Sequence, residues 1–95
     1  MKLVWGHRAH RDLHELIAYI AEDSIQAAEL VASRIFKSAE ILTQVPCAGR
    51  TGRVDSTREL VVLRTPYLLV YRVESSAVRI LRVYHGARRW PARFD

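Results

Sequence analysis

"RELVVLRTPYLLVYRVESSAVRILRVY", residues 58–84, decides the fold. Three runs rich in Val, Leu, Ile and Tyr, at 58–64, 67–73 and 77–84, are separated only by Thr65-Pro66 and by Glu74-Ser75-Ser76. β-Branched and aromatic residues suit a pleated, half-buried surface, and connections this short permit only hairpins, so the stretch predicts a meander of three antiparallel strands. The middle run is apolar at nearly every position, which predicts a central strand covered on both faces. The last carries Arg79 and Arg82 among its apolar residues and predicts a more exposed strand.

A sheet with apolar faces needs a cover, and the upstream sequence supplies one. From Arg8 to Glu22, Ala9, Leu13, Leu16, Ile17 and Ile20 recur at helical spacing while Arg11, Asp12, Glu15 and Glu22 fall on the other side. Asp23 or Ser24 can cap a second helix, with Gln26 placed three after Asp23 as in a capping box. Ala28, Val31, Ile35, Ala39 and Leu42 form its stripe as far as Val45, and Pro46 stops it. So short a turn predicts an antiparallel helical hairpin. With "KLVW" at residues 2–5 as one brief strand, the order is β-α-α-β-β-β: a single α+β domain over residues 1–95, its helical hairpin packed on a small antiparallel sheet.

A chain of 95 residues is too short for two ordinary domains. Its 49% hydrophobic and 26% charged residues are the balance of a soluble globular domain. No stretch approaches the ~18 apolar residues of a membrane helix, and the N-terminus has no signal-peptide core, so a cytoplasmic protein is expected. Cys47 is the single cysteine and cannot close an intrachain disulfide. The net charge of +5 is unevenly placed: residues 1–49 hold five Lys or Arg against six Asp or Glu, and residues 50–95 hold ten arginines against four acids. A half so rich in arginine predicts an acidic partner, either nucleic acid or protein.

Candidate chemistry is sparse. "AGRTGR", residues 48–53, has the glycines of a phosphate loop but follows a helix and precedes a strand, so it reads as a connector. His10 and His14 lie four apart on the first helix, yet no third ligand at matching spacing completes a metal site, and neither metal nor cofactor is expected. The densest cluster is "RVYHGARRWP", residues 82–91, in which Arg82 and Tyr84 share a strand side and Gly86 allows a turn. Arg88 and Arg89 can then return toward them, with Trp90 packing the tail. His85 among these arginines could serve as acid or base on a phosphodiester.

The helix text "DLHELIAYIAEDSIQAAE", the loop "VPCAGRTGRV", the box "TRELVV", the hairpin "TPYLLVYRV" and the ending "ILRVYHGARRWP" together resemble the RelE/ParE superfamily of bacterial type II toxins across nearly the whole chain. The pattern departs at Asp55-Ser56, where this family commonly has a glycine. The resemblance implies the toxin of a toxin–antitoxin pair, causing growth arrest and serving plasmid stabilisation. It also implies a hetero-oligomer with an acidic ParD- or RelB-like antitoxin, with Arg58, Arg64, Arg82, Tyr84, His85, Arg88, Arg89 and Trp90 as the antitoxin- and target-binding set. RelE-type members cut messenger RNA in the ribosome with cations from several strands, whereas ParE-type members poison DNA gyrase and are not known as nucleases. Here Leu60–Leu63 and Leu68 stand where a nuclease would present cations, leaving Arg82, His85 and Arg88 as its only catalytic candidates. One strand end is a thin supply for a reaction that needs convergent groups, so the expectation is ParE-like, with a ribosome-dependent endoribonuclease as the alternative.

Overall fold

A serine that closes one helix and opens the next sets the geometry of the first half. In the computed structural model, which describes residues 1–86, the elements are β1 (Lys2–Trp5), α1 (His7–Asp23), α2 (Ile25–Gln44), β2 (Arg50–Thr51), β3 (Arg58–Val61), β4 (Tyr67–Val73) and β5 (Ala77–His85). The Ser24 N–H donates to the Ile20 carbonyl at the end of α1, and its hydroxyl accepts from the Ala27 N–H at 3.0 Å at the start of α2. Ser24 is therefore the cap, and Gln26 falls one position short of the capping-box place expected for it.

The strands form one five-stranded sheet in the order β1-β5-β4-β3-β2. The meander from β3 to β5 is as expected, and β4 lies at its centre with Leu68, Leu69, Val70 and Tyr71 all buried. Three features correct the reading from sequence: Arg50–Thr51 add a short strand, β2, within the expected connector, and the other two concern the far edge of the sheet. β1 pairs parallel with β5, Leu3 opposite Val78 and Trp5 opposite Ile80, so the sheet is mixed rather than purely antiparallel. The last strand is consequently interior, with Val78 and Ile80 fully buried. Its arginines suggest exposure because their charge is visible in the sequence and their partners are not: Arg79 pairs with Glu74 and Arg82 with Asp12.

Among the described residues, β3 is left partly open on its outer side. β2 pairs with it only at Arg58 and Glu59, and β3 ends at Val61 instead of running to Arg64, which takes a left-handed φ of 62° in the turn to β4. On the covered face, Ala9 and Leu13 of α1 and Ile35, Ala39 and Leu42 of α2 meet Leu69, Tyr71, Val78, Ile80 and Val83. Burying these apolar side chains supplies the main driving force for the fold, at roughly 1.5–3 kcal/mol for each large one.

The connector from α2 to β3 is tied down by Tyr71. Its buried hydroxyl donates to the Pro46 carbonyl at 2.8 Å and accepts from the Gly49 N–H at 2.9 Å, and burial pushes the phenol up, so that it stays protonated. A Cβ at Gly49 would lie 2.7 Å from both the Tyr71 hydroxyl and the Glu59 carbonyl oxygen, so this glycine serves close approach and not phosphate binding. Ser56, where the family resemblance placed a glycine, has a φ of 63°, a backbone that costs a residue with a side chain about 1 kcal/mol.

Candidate functional site

β1 ends at Trp5, where the Gly6 N–H donates to the Ile80 carbonyl at 2.8 Å, and beyond that point α1 crosses the free side of β5. Asp12 takes over there. Its Oδ2 accepts from the Val83 N–H at 3.0 Å and from Arg82 Nε at 2.7 Å, while Oδ1 accepts from Arg82 Nη2 at 3.0 Å. A fork-to-fork pair of this kind, with only 15% and 10% of the two side chains exposed, is strong and directional. Asp12 accordingly holds the Arg82 guanidinium still higher than usual, and the guanidinium lies 4.6 Å over the Tyr84 ring.

Arg82 was expected to meet an acidic partner, and the acid it meets is the chain's own Asp12. Tyr84, expected beside it on the docking surface, is buried. Both placements have one cause: where β1 stops, the open side of β5 needs an acceptor and a cover, and α1 provides both.

His85 is exposed at the end of β5, its ring edge-on to Tyr67 at 5.7 Å. Burial pushes the Tyr67 phenol up, and the nearby Tyr19 adds to the shift. The groove beside them has a volume of 360 Å³ and is lined by Glu15 and Asp12 as well as by Tyr19, Tyr67 and His85. Both acids are ion-paired, Asp12 with Arg82 and Glu15 with Arg11 at 3.3 Å. Arg64, in the adjoining turn, offers its carbonyl to Arg34 Nη1 at 3.2 Å. Arg58 is elsewhere: it pairs across the sheet with Tyr71, four residues along β4 from Tyr67 and so about 13 Å away. Its Nη1 donates to the Gly49 carbonyl at 2.9 Å. The expected set therefore divides into His85 and Arg64 at one end of the sheet and Arg58 at the other. Arg88, Arg89 and Trp90 lie outside the described residues.

A second charged cluster escaped the sequence reading. Glu59, on β3, is buried and accepts from Arg50 Nη2 at 2.9 Å, from the Arg53 backbone N–H at 2.8 Å and from Arg53 Nε at 3.1 Å. The two arginines of "AGRTGR" are thus folded back on one carboxylate, while Arg72 Nε reaches the Ser56 carbonyl at 3.4 Å. The available signal was an acid inside an apolar strand, since a buried carboxylate requires partners. Burial alone would raise the Glu59 carboxyl, but hydrogen bonds from the Arg53 backbone and side chain and from Arg50 outweigh it and hold the group below its ordinary 4.5. A lowered folded value gives stability that is present above pH 4.5 and lost as pH falls through that lower value. Glu59→Gln should cost about 1–2 kcal/mol at neutral pH, discounted because both arginines are well solvated. Urea unfolding should show this difference shrinking toward pH 3; a difference independent of pH would contradict the ion-pair account.

The description of the ParE toxin of the parDE type II toxin–antitoxin system matches residues 3–90. A Sinorhizobium fredii protein named toxin Y4kP is 43% identical over 90 residues, covering 95% of this chain and 93% of the relative. Caulobacter vibrioides toxin RelE2 is 38% identical over 87 residues, covering 92% of this chain and 97% of the relative. In three dimensions the chain is similar to one from a structure described as the chromosomal ParDE TA system from P. aeruginosa, with a TM-score of 0.81 at 28% identity over 90% of this chain and 95% of that one.

Proposed function

Since the chain belongs to the ParE toxin family and is a type II toxin of the RelE/ParE superfamily, whose toxins are paired with antitoxins, we infer that it arrests growth by docking on DNA gyrase and not by cutting RNA. The observation that carries this reading is the Asp12–Arg82 pair. Hydrolytic or transesterifying attack on RNA needs cations that converge on the phosphate and stabilise its developing charge. Arg82 is committed to Asp12, and Leu60 and Leu68 stand on the neighbouring strands where cations would be needed. Poisoning a large enzyme requires no reaction by the toxin, only a complementary surface.

At rest that surface is masked by an acidic antitoxin that folds on the toxin. The edge of β3 suits such a segment: Val61 and Leu63 are 57% and 73% exposed, and β2 leaves Leu60 and Val61 without an outer neighbour among the described residues. Open edges of this kind are completed by strand addition. Arg34 and Arg64 beside it, and by expectation Arg88 and Arg89, offer charges to antitoxin carboxylates.

His85→Ala separates the readings. The gyrase reading predicts that the variant still arrests growth on induction and that the wild type leaves messenger RNA intact on translating ribosomes. Ribosome-dependent cleavage abolished by His85→Ala would establish the endoribonuclease instead.

A further inference from the structure

On the opposite side of α1 from Arg82, two histidines lie one helical turn apart. The rings of His10 and His14 lie with centroids 4.6 Å apart, tilted by 53° rather than stacked. We propose that this pair is a binding site for a divalent transition ion, with Zn²⁺ as the ion of reference. At a Zn–N bond of about 2.1 Å each imidazole centre stands about 3.2 Å from the ion, so rings subtending right to tetrahedral angles have centres about 4.5–5.2 Å apart. The observed spacing falls within that range, so rotation of the two rings about their side-chain bonds can bring one nitrogen of each to a shared ion. Helical residues four apart face the same side, which is why one turn of α1 can deliver both ligands.

The surroundings favour the ion. Both histidines are exposed, which gives it a path in, and they border a groove of 590 Å³ whose remaining walls include Trp5, Leu13, Ile17 and Phe36. Arg8 and Arg11 line a different groove, with Asp12, Glu15 and Arg82, so the arginines of α1 do not share the histidine groove. The apolar wall offers no competing ligand, which leaves the two imidazoles as the protein ligands in reach. Among the described residues no group of three or more His, Cys, Asp or Glu side chains could hold a metal, so water completes the coordination. Such a site holds its ion more loosely than a closed structural zinc site does, and imidazole ligands bind Ni²⁺ and Cu²⁺ as well.

The test is a zinc titration of the full, untagged chain against a chromophoric chelator, with imidazole resonances followed by NMR. One ion per chain should bind, shifting the resonances of His10 and His14. His10→Gln and His14→Gln should each weaken it by about tenfold or more, while His7→Gln and His85→Gln should not. Circular dichroism confirms that the helices remain, and because both side chains are exposed the variants should fold. Equal affinity in all four variants, or shifts confined to His7 and His85, would overturn the assignment.

Discussion

Asp12→Ala should unfold more easily than the wild type by about 3 kcal/mol, enough to lower the melting temperature on the order of 15 °C for a domain of this size. The substitution leaves a guanidinium that is 15% exposed without its carboxylate, and it orphans the Val83 N–H on the side of β5 that β1 no longer reaches. Breaking a pair from one side is costly because the surviving charge stays partly desolvated. The lower end of the usual range applies because some solvent reaches both partners. Adding Arg82→Met should recover part of the loss, since an apolar side chain of similar length removes the stranded charge. A single-variant cost under about 1 kcal/mol would show that α1 is held by its apolar stripe alone.

The second large effect concerns the edge of β3. Val61→Asp combined with Leu63→Asp should weaken antitoxin binding by at least about a hundredfold, or about 2.7 kcal/mol. Two exposed apolar residues would become charges that repel an acidic partner. The isolated domain should keep its stability, because neither side chain belongs to the core. Calorimetric titration of the purified toxin with a synthetic antitoxin segment measures the first quantity and urea unfolding the second. Unchanged affinity would place the antitoxin elsewhere, on the helical hairpin.

The helices and the three-strand meander were legible because their signals are local. The stripe from Ala9 to Ile20 and the stop at Pro46 give boundaries within a residue or two of α1 and α2, and Tyr67–Val73 reads as a buried strand from its composition alone. What stayed hidden depends on partners distant in the chain. Asp12 is 70 residues from Arg82, and on a helical wheel it reads only as part of the polar face. The parallel pairing of β1 with β5 similarly has no signature in "KLVW", and without it the arginines of β5 point to an exposed strand. Residues 46–57 read as a connector, but Arg50–Thr51 form the strand β2 within it, and the collapse of Arg50 and Arg53 onto Glu59 depends on the register of β2 on β3. The candidate site suffered most, for a sequence displays charges without showing which are already paired.

The central claim is that this toxin acts through a surface and not through a reaction, and purified gyrase tests it most directly. Supercoiling of relaxed plasmid is followed with increasing toxin, with and without the antitoxin, and cleaved DNA is trapped with detergent. The account predicts loss of supercoiling and accumulation of gyrase-linked breaks in proportion to toxin bound, both reversed by antitoxin and both retained by His85→Ala. Undiminished supercoiling with no stabilised breaks at a large excess of folded toxin would contradict it.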